Sequence, residues 1–324
     1  MVALGYQLSS EEHGPDALVD QAARAEQAGF DFVCISDHFH PWSHAQGESP
    51  LAWTVLGGIA RATSTVEVGT SVTCPTMRYH PAIVAQGAAT AAAMMPGRFV
   101  LGLGSGENLN EHVVGRGWPA PDVRLDMLQE SVEVIRALWT GDMVTHRGRH
   151  FTVEHARLFT LPDAPPPIVL AASNPLAADL AGRIADGLWD VAPAAGQVER
   201  FRAAGGDGKP VYGGPKLLWG PDEAAARRRV LEIWPNAAAP GDLSQELRDP
   251  EHFDQLRDLI TEDDVAFIPC GPDVETHVAS IRQFVDAGFT HVHVTQIGPD
   301  QEGFFRFFER ELRPALEGIG AAVA

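Results

Sequence analysis

Short apolar runs alternate along the chain with longer segments whose apolar residues recur at helical spacing. The runs predict eight strands, at residues 2–7, 32–36, 66–71, 98–104, 168–172, 187–191, 216–219 and 291–296. The segments between them predict helices, at residues 15–29, 50–62, 81–95, 122–139, 175–184, 197–204, 223–232 and 273–287, with a last helix at 304–312. Strands that are joined by crossover helices lie parallel in one sheet.

This order predicts an α/β fold, a TIM-type (βα)8 barrel with insertions. An open doubly wound sheet is the alternative, but it would be accompanied by a second small domain, and no linker to one is visible. We therefore expect a single domain over residues 1–324. A polar excursion at 142–160 predicts a hairpin. A stretch at about 234–261, rich in Pro, Ala, Asp and Glu, predicts an insertion between the seventh and eighth strands that forms part of a pocket roof.

Charge and composition exclude several classes of function. The chain has 24 Lys and Arg against 43 Asp and Glu, a formal net charge of -19, so we expect no nucleic-acid partner. The N-terminus has no basic region followed by an apolar one, and no stretch of about 18 apolar residues occurs, so we expect neither secretion nor membrane insertion. Three cysteines without a CxxC pair favour reduced thiols and a cytoplasmic location.

Chemistry in such a barrel sits at the C-terminal ends of the strands. The second strand is followed by Asp37, His38, His40 and Trp42. Two histidines beside a carboxylate are compatible with a metal-dependent hydrolase, but a metal needs further ligands from other strand ends. The remaining candidates, residues 291 and 293, lie inside the predicted last strand. We therefore predict no metal and keep the hydrolase as a minor alternative.

The fourth and fifth strands end in segments that suit a flat, anionic ligand. Glycines at 102, 104 and 106 do not match a dinucleotide fingerprint, because the third comes too early, but they allow close approach of a planar group. Glu107 follows them as a candidate general acid or base. Ser173 and Asn174 open the next helix, where free N–H groups predict an anion site, although such residues commonly serve only as N-caps.

Together these strand ends resemble a known family. The motifs are Leu4-Gly-Tyr, Ser36-Asp-His-Phe-His-Pro-Trp, Gly69-Thr-Ser-Val-Thr-Cys-Pro-Thr, Gly104-Ser-Gly-Glu-Asn-Leu-Asn-Glu and Ala181-Gly-Arg-Ile-Ala-Asp-Gly. In this order they resemble the luciferase-like oxidoreductases, and within them the branch that uses coenzyme F420, an 8-hydroxy-5-deazaflavin, and includes the F420-dependent glucose-6-phosphate dehydrogenases. The resemblance covers nearly the whole chain.

The resemblance implies a TIM-type barrel, a homodimer and a site for the deazaflavin. The ring would lie against Asp37 and His38 and against a non-prolyl cis peptide at Ser71-Val72, and the tail phosphate would meet the turn at 172–174. The cofactor-binding residues implied are Asp37, His38, Ser71, Val72, Cys74, Gly106, Glu107, Asn110, Ala171, Ala172, Ser173 and Asn174.

The family also implies the reaction, hydride transfer between C5 of the deazaflavin and the carbon of a small alcohol or carbonyl compound. His38 would act as the base or as the electrostatic partner of the substrate oxygen, Trp42 would brace the reacting centre, and Glu107 would manage the proton at N1 of the ring. Two alternatives stay open besides the hydrolase: an FMN-dependent luciferase-like monooxygenase and a deazaflavin-binding protein without activity.

Two departures from the family pattern affect the expected ligands. Where the sugar-phosphate members carry basic residues, this chain has Ala194-Ala-Gly, Ser244-Gln-Glu and Ala266-Phe. A phosphate dianion without basic partners loses its charge-assisted hydrogen bonds, so we predict that glucose 6-phosphate is not the substrate. Ser173-Asn174 stands where relatives often have two glycines, which leaves the details of tail binding open.

Overall fold

Eight parallel strands close into a barrel in the computed structural model, which describes residues 2–319. The strands pair in the order β1-β2-β3-β4-β7-β8-β9-β11, and β11 returns to β1. Their bounds are β1 Ala3–Leu8, β2 Phe32–Ile35, β3 Glu67–Thr70, β4 Phe99–Leu103, β7 Ile168–Ala171, β8 Gly187–Trp189, β9 Val211–Gly213 and β11 His291–Gln296. The predicted barrel is confirmed, and the open sheet is excluded because the two edges pair.

Helices occupy most connections between the barrel strands. They are α1 Pro15–Ala28, α2 Ala52–Ala62, α3 Pro81–Met94, α4 Asn108–Glu111, α5 Pro121–Trp139, α6 Pro175–Ile184, α7 Ala195–Phe201, α8 Glu223–Ile233, α9 Leu243–Glu246, α10 Pro250–Arg257, α11 Val274–Asp286, α12 Gln301–Phe307 and α13 Arg313–Ala315. The sequence marks several ends directly. α1 begins at Pro15, and Gly29 ends it with a positive φ of 85°, which glycine adopts without strain.

The seventh barrel strand corrects the sequence prediction. It is β9, Val211–Gly213, and not residues 216–219. Lys216–Leu217 forms β10, a short extension beyond Gly214 and Pro215 that pairs with the end of β11, so that Lys216 lies opposite Thr295. A strand of three residues is too short to show an alternating apolar pattern. Gly214 and Pro215 separate it from β10, so the sequence does not show that the two segments are neighbours in the sheet. The pairing of β10 with the end of β11 places Lys216 at the C-terminal mouth of the barrel.

The two excursions pack over different parts of the barrel. β5 Val144–Arg147 and β6 Thr152–Ala156 form the predicted hairpin. Residues 234–261 hold a 3₁₀ turn at Pro235–Ala238, followed by α9 and α10. Trp234 and Phe253 from this segment belong to a second apolar cluster with Trp42 and Leu109 from the strand-end loops. The segment therefore lies over the C-terminal ends of the strands.

Burial elsewhere in the chain agrees with a large apolar core. The main cluster joins the inner faces of the helices to the outer face of the barrel. All three cysteines are buried and unpaired. Within residues 2–319, no helix combines the length and the apolarity that a membrane crossing requires.

Candidate active site

A cavity of about 560 Å³ opens at the C-terminal ends of the strands, under the segment 234–261. Every predicted site residue lines it except Asn174. Those that do are Asp37, His38, Trp42, Ser71, Val72, Cys74, Gly106, Glu107, Asn110, Ala171, Ala172 and Ser173. The loops after β2, β3, β4 and β7 therefore bring the separated motifs together, as the barrel topology requires.

The imidazole of His38 lies between a backbone carbonyl and two carboxylates. Its Nδ1 lies 3.1 Å from the carbonyl oxygen of His40, to which a protonated Nδ1 donates, and 3.2 Å from the side-chain nitrogen of Asn110, from which an unprotonated Nδ1 accepts. Its Nε2 lies 3.4 Å from Oε1 of Glu11 and 3.6 Å from Oε2 of Glu107. Nε2 therefore lies at the cavity between two carboxyl groups, one from Glu11 and one from Glu107.

Glu11 is a site residue that the sequence analysis missed. It follows β1, its side chain is 4% exposed, and it accepts hydrogen bonds from the hydroxyls of Ser36 at 2.6 Å and Ser9 at 3.0 Å. Burial raises the pKa of Glu11, but His38 and the Ser36 hydrogen bond outweigh it, and the net pKa is lowered. Glu11 is therefore ionised beside His38. The signal was available, because β1 ends at the same edge as the strands that were searched.

Glu107 stands on the other side of the imidazole, just before α4. Its Oε2 accepts a hydrogen bond of 2.9 Å from the side-chain amide of Asn110. Asn110 in turn accepts one of 2.9 Å from the backbone N–H of Phe39, which ties the β4 loop to the β2 loop. Burial raises the pKa of Glu107, against the opposing effect of His38. The protonated form is thus retained to higher pH than in an exposed glutamate.

Trp42 packs between His38 and the segment that covers the cavity. Its ring centroid lies 5.1 Å from that of His38 and 5.2 Å from that of Phe253, which it meets edge to face. Its backbone N–H donates to the side chain of Gln46 at 2.8 Å. The indole therefore restricts the motion of the imidazole and closes one side of the cavity.

The carboxylate of Asp37 is fully occupied by protein partners. It accepts hydrogen bonds from Arg78 at 3.0 Å, Thr73 at 2.6 Å and Tyr79 at 3.3 Å. Its side chain has no solvent exposure, and its partner Arg78 is 7% exposed. Asp37 thus fixes the loop that carries His38, and its backbone carbonyl also accepts a hydrogen bond of 2.9 Å from Arg78.

One wall of the cavity is built from backbone and small side chains. The predicted cis peptide at Ser71-Val72 is present. A Cβ on Gly104 would lie 2.6 Å from a methyl of Val72, and one on Gly106, whose φ is +85°, would lie 2.6 Å from the sulfur of Cys74. Larger residues are excluded at both positions. The wall is accordingly flat enough for a planar ring to lie against the chain.

The predicted anion site at the start of α6 is divided between two roles. Ala171, Ala172 and Ser173 line the cavity. Asn174 instead caps the helix, because its side-chain oxygen accepts from the backbone N–H of Ala177 at 3.0 Å. The N-cap interpretation therefore describes Asn174, and an anion site at Ser173 stays a prediction.

The metal alternative gains no support from the geometry. Nδ1 of His40 lies 3.0 Å from the carbonyl oxygen of Leu109, and its ring stacks on His112 away from His38. His291 stacks on Tyr212 inside the barrel. In the part of the chain that the structure describes, no three His, Cys, Asp or Glu side chains form a group that could hold a metal ion.

Comparison with known proteins agrees with this architecture. The family model for luciferase-like monooxygenases matches residues 2–291. The chain belongs to this family. It is 36% identical over 325 residues to an F420-dependent glucose-6-phosphate dehydrogenase of Microbacterium testaceum, with 96% of each chain covered. It is 38% identical to one of Intrasporangium calvum, with 98% of this chain and all of the relative covered.

A solved structure is similar over the same length. An F420-dependent secondary alcohol dehydrogenase in complex with an F420-acetone adduct superposes with a TM-score of 0.91 at 34% identity, covering 97% of this chain and 99% of the other. The luciferase-like family that the motifs predicted is therefore confirmed for this chain.

This luciferase-like chain places one cation in its cavity, and the sequence analysis missed it. Lys216 lines the cavity, and its ammonium lies 4.6 Å from the ring centroid of Trp234. Burial lowers the pKa of Lys216, while Glu11, Glu12 and Glu107 oppose that effect. Of the segments searched for basic residues, Ser244, Gln245 and Phe267 also line the cavity. Among residues 2–319, no other lysine or arginine does.

Proposed function

We propose that the protein is an oxidoreductase that transfers a hydride between coenzyme F420 and an alcohol or carbonyl compound. The observation that carries this proposal is the position of His38 Nε2, which faces the cavity between Glu11 and Glu107. The F420-dependent dehydrogenases to which the chain is similar over its whole length support the choice of cofactor.

The cavity residues fit a deazaflavin ring. The flat wall at Ser71, Val72, Gly104 and Gly106 would support its face, and Glu107 and Asn110, which line the same cavity, would hold its edge. Ser173 before α6 lines the cavity and would offer its N–H and hydroxyl groups to the phosphate-bearing tail, whereas the N–H of Ala172 donates to the carbonyl of Trp189 at 2.9 Å. Because Lys216 is the one lysine or arginine of the described chain that lines the cavity, the tail would depend chiefly on neutral donors such as these. F420 supplies the carbon C5, which accepts or donates the hydride.

The chain's own groups move the protons. In the oxidative direction His38 Nε2 takes the proton of the substrate hydroxyl, and Glu11 stabilises the resulting imidazolium. Trp42 keeps the imidazole in place. Glu107 holds the proton that is exchanged at N1 of the ring, a role that its raised pKa supports. Two acid–base groups with different environments can serve these two positions at one pH.

We further propose that glucose 6-phosphate is not the substrate. A phosphate dianion would meet Lys216 alone, in a cavity that also holds Glu11 and Glu107. We expect kcat/KM for glucose 6-phosphate to be at least about a hundredfold below that for the best uncharged alcohol, since each lost charge-assisted hydrogen bond is worth about tenfold or more. Comparable values for the two would contradict this.

Titration of the purified protein with F420 and with FMN, followed by fluorescence, tests the proposed cofactor. We expect saturable binding of F420 and weaker binding of FMN. Tight binding of FMN with none of F420 would instead make the protein an FMN-dependent monooxygenase. Binding of F420 without turnover of any alcohol or carbonyl, and unchanged by Glu107→Gln, would leave a cofactor-binding protein.

The assembly and location form part of the same proposal. Exposed apolar side chains on or beside α2 and α3, at Leu51, Ile83 and Met94, support a homodimer through this face. Light scattering on the purified protein tests this, and a monomer at micromolar concentration would contradict it. A single domain with an insertion, and a cytoplasmic location with reduced thiols, complete the proposal.

A further inference from the structure

The wall of the cavity formed by β10 and β11 carries three polar side chains that make no side-chain hydrogen bond within the described residues 2–319. They are Lys216, His293 and Thr295, and all three line the cavity. His293 is 6% exposed, and its Nδ1 has no hydrogen-bond partner. The ammonium of Lys216 and the hydroxyl of Thr295, a residue that is 3% exposed, make no side-chain hydrogen bond within residues 2–319, but unlike Nδ1 of His293 neither atom is fully enclosed. We call these three side chains the β11 wall.

The backbone and two aromatic rings hold the β11 wall in place. His293 and Thr295 are two residues apart on β11 and so point to the same side of the strand. Lys216 is paired with Thr295 across β10 and β11. The ring of His293 stacks on Trp189 with centroids 5.4 Å apart, and the ammonium of Lys216 lies over Trp234. The three groups are therefore preorganised rather than free to seek other partners.

Polar groups elsewhere in the cavity are partly paired, and Glu111, Asp190 and Asn236, which also line it, each carry one buried oxygen without a hydrogen-bond partner in the described part of the chain. Glu11, Glu107 and Asn110 each accept or donate hydrogen bonds within the protein. A polar group left unpaired in a buried place is costly, and native proteins pair most such groups with protein, water or ligand. This cost applies to Nδ1 of His293, whereas the ammonium of Lys216 and the hydroxyl of Thr295 stay open to the cavity without a protein hydrogen bond among the described residues. A bound molecule can supply partners on this wall.

Charge and hydrogen-bonding capacity indicate the chemistry of that partner. Lys216 interacts electrostatically with Glu11 and Glu107, so an anionic substrate group at the wall would also meet two carboxylates. An uncharged oxygen avoids that repulsion. Burial lowers the pKa of His293 to about 3, with Lys216 acting in the same direction, so the imidazole is neutral and offers one donor and one acceptor. A hydroxyl group, which donates and accepts, matches this set.

We propose that Lys216, His293 and Thr295 bind a second hydroxyl group of the substrate, while His38 holds the reacting one. The substrate class is then the uncharged polyols, of which a diol is the simplest. This inference rests on the proposed function, because it takes His38 as the residue that contacts the reacting hydroxyl.

The test uses three alcohols of equal carbon number that share a secondary alcohol: 2-butanol, 1,3-butanediol and 2,3-butanediol. We expect the F420-loaded enzyme to show a kcat/KM at least about tenfold higher for one diol than for 2-butanol. Lys216→Met should abolish that preference by lowering kcat/KM for the diol at least about tenfold more than for 2-butanol. Thr295→Val should reduce it in the same sense by a smaller factor, and provides the test if Lys216→Met does not fold.

Two controls separate this inference from the proposed function. Lys209→Met removes a lysine that donates to the carbonyls of Gly182 and Ala185 outside the cavity, and should keep the preference. Dissociation constants of the three alcohols for the loaded enzyme, measured by tryptophan fluorescence, give a readout without turnover. Equal effects of Lys216→Met on diol and 2-butanol, in either assay, would overturn the proposal. Diol binding that depends on Lys216 without any turnover would overturn only the proposed alcohol chemistry.

Discussion

Nε2 of His38 lies 3.4 Å from Oε1 of Glu11, and that carboxylate is held by the hydroxyls of Ser36 and Ser9. The pair joins the first strand of the barrel to the second through side chains alone. Because the pKa of Glu11 is lowered overall despite its burial, the negative charge next to the imidazole persists at neutral pH. The base proposed for the reaction thus has a permanent counter-charge.

Glu11→Gln tests whether this counter-charge serves the reaction. The amide retains an acceptor for Ser36 but loses the charge that stabilises protonated His38. We expect kcat to fall about 10- to 100-fold, the range for losing a hydrogen bond to a charged group, while the dissociation constant of F420 changes less than about threefold. Steady-state kinetics and fluorescence titration measure the two quantities. An unchanged kcat would mean that Glu11 only supports the fold.

His38→Asn removes the proposed base itself. We expect kcat to fall about 10² to 10⁴-fold, the usual contribution of a positioned acid or base, with F420 binding retained. His44→Asn is the matched control, because His44 is exposed and pairs with Asp254 outside the cavity. The control should keep at least about half of the activity. Similar losses in both variants would argue against a specific role of His38.

The sequence predicted the barrel and most of the cavity because both depend on local patterns. His38 and Glu107 each follow an apolar strand directly, and parallel strands bring such positions to one edge. Glu11 was not predicted as a site residue because its role depends on contacts with Ser36 and His38. These residues lie 25 and 27 positions further along the chain and meet Glu11 only in the folded barrel. Lys216 was not predicted as a cavity residue because β9, with three residues, is too short to show an alternating apolar pattern. The register that pairs Lys216 with Thr295 is therefore visible only in the folded sheet.

The pH dependence of stability is expected to reflect Glu12. The carboxylate of this partly buried residue accepts hydrogen bonds from the indole of Trp234 at 2.6 Å and from the backbone of Gly298 at 2.8 Å. Burial nevertheless raises the pKa of Glu12 to about 7. Between about pH 4.5 and 7 the folded state binds the proton more tightly than the unfolded chain, so the unfolding free energy decreases as pH rises through this range.

Glu12→Gln should remove this pH dependence, because the amide cannot ionise. Relative to the parent protein, the unfolding free energy of the variant should rise by up to about 3 kcal/mol between pH 5 and pH 8. Urea unfolding at the two pH values measures it. The exposed Glu199→Gln should show no such difference. A variant that loses stability relative to the parent as pH rises would contradict the raised pKa.

Gly102 tests the close approach of β3 and β4 that shapes the flat wall. A Cβ at this position would lie 1.9 Å from the carbonyl oxygen of Thr70, and the Thr70 hydroxyl both donates to and accepts from the backbone of Gly102. Gly102→Ala must therefore push the two strands apart. We expect the free energy of unfolding in urea to fall by about 2 to 4 kcal/mol and F420 binding to weaken, because the wall at Ser71 and Val72 moves with β3.

Gly196→Ala is the control. Gly196 lies in α7 with no heavy atom within 4 Å of the added Cβ, so the variant should gain up to about 1 kcal/mol in stability. If both variants match the parent in stability, the backbone contact between Gly102 and Thr70 does not limit the residue at this position.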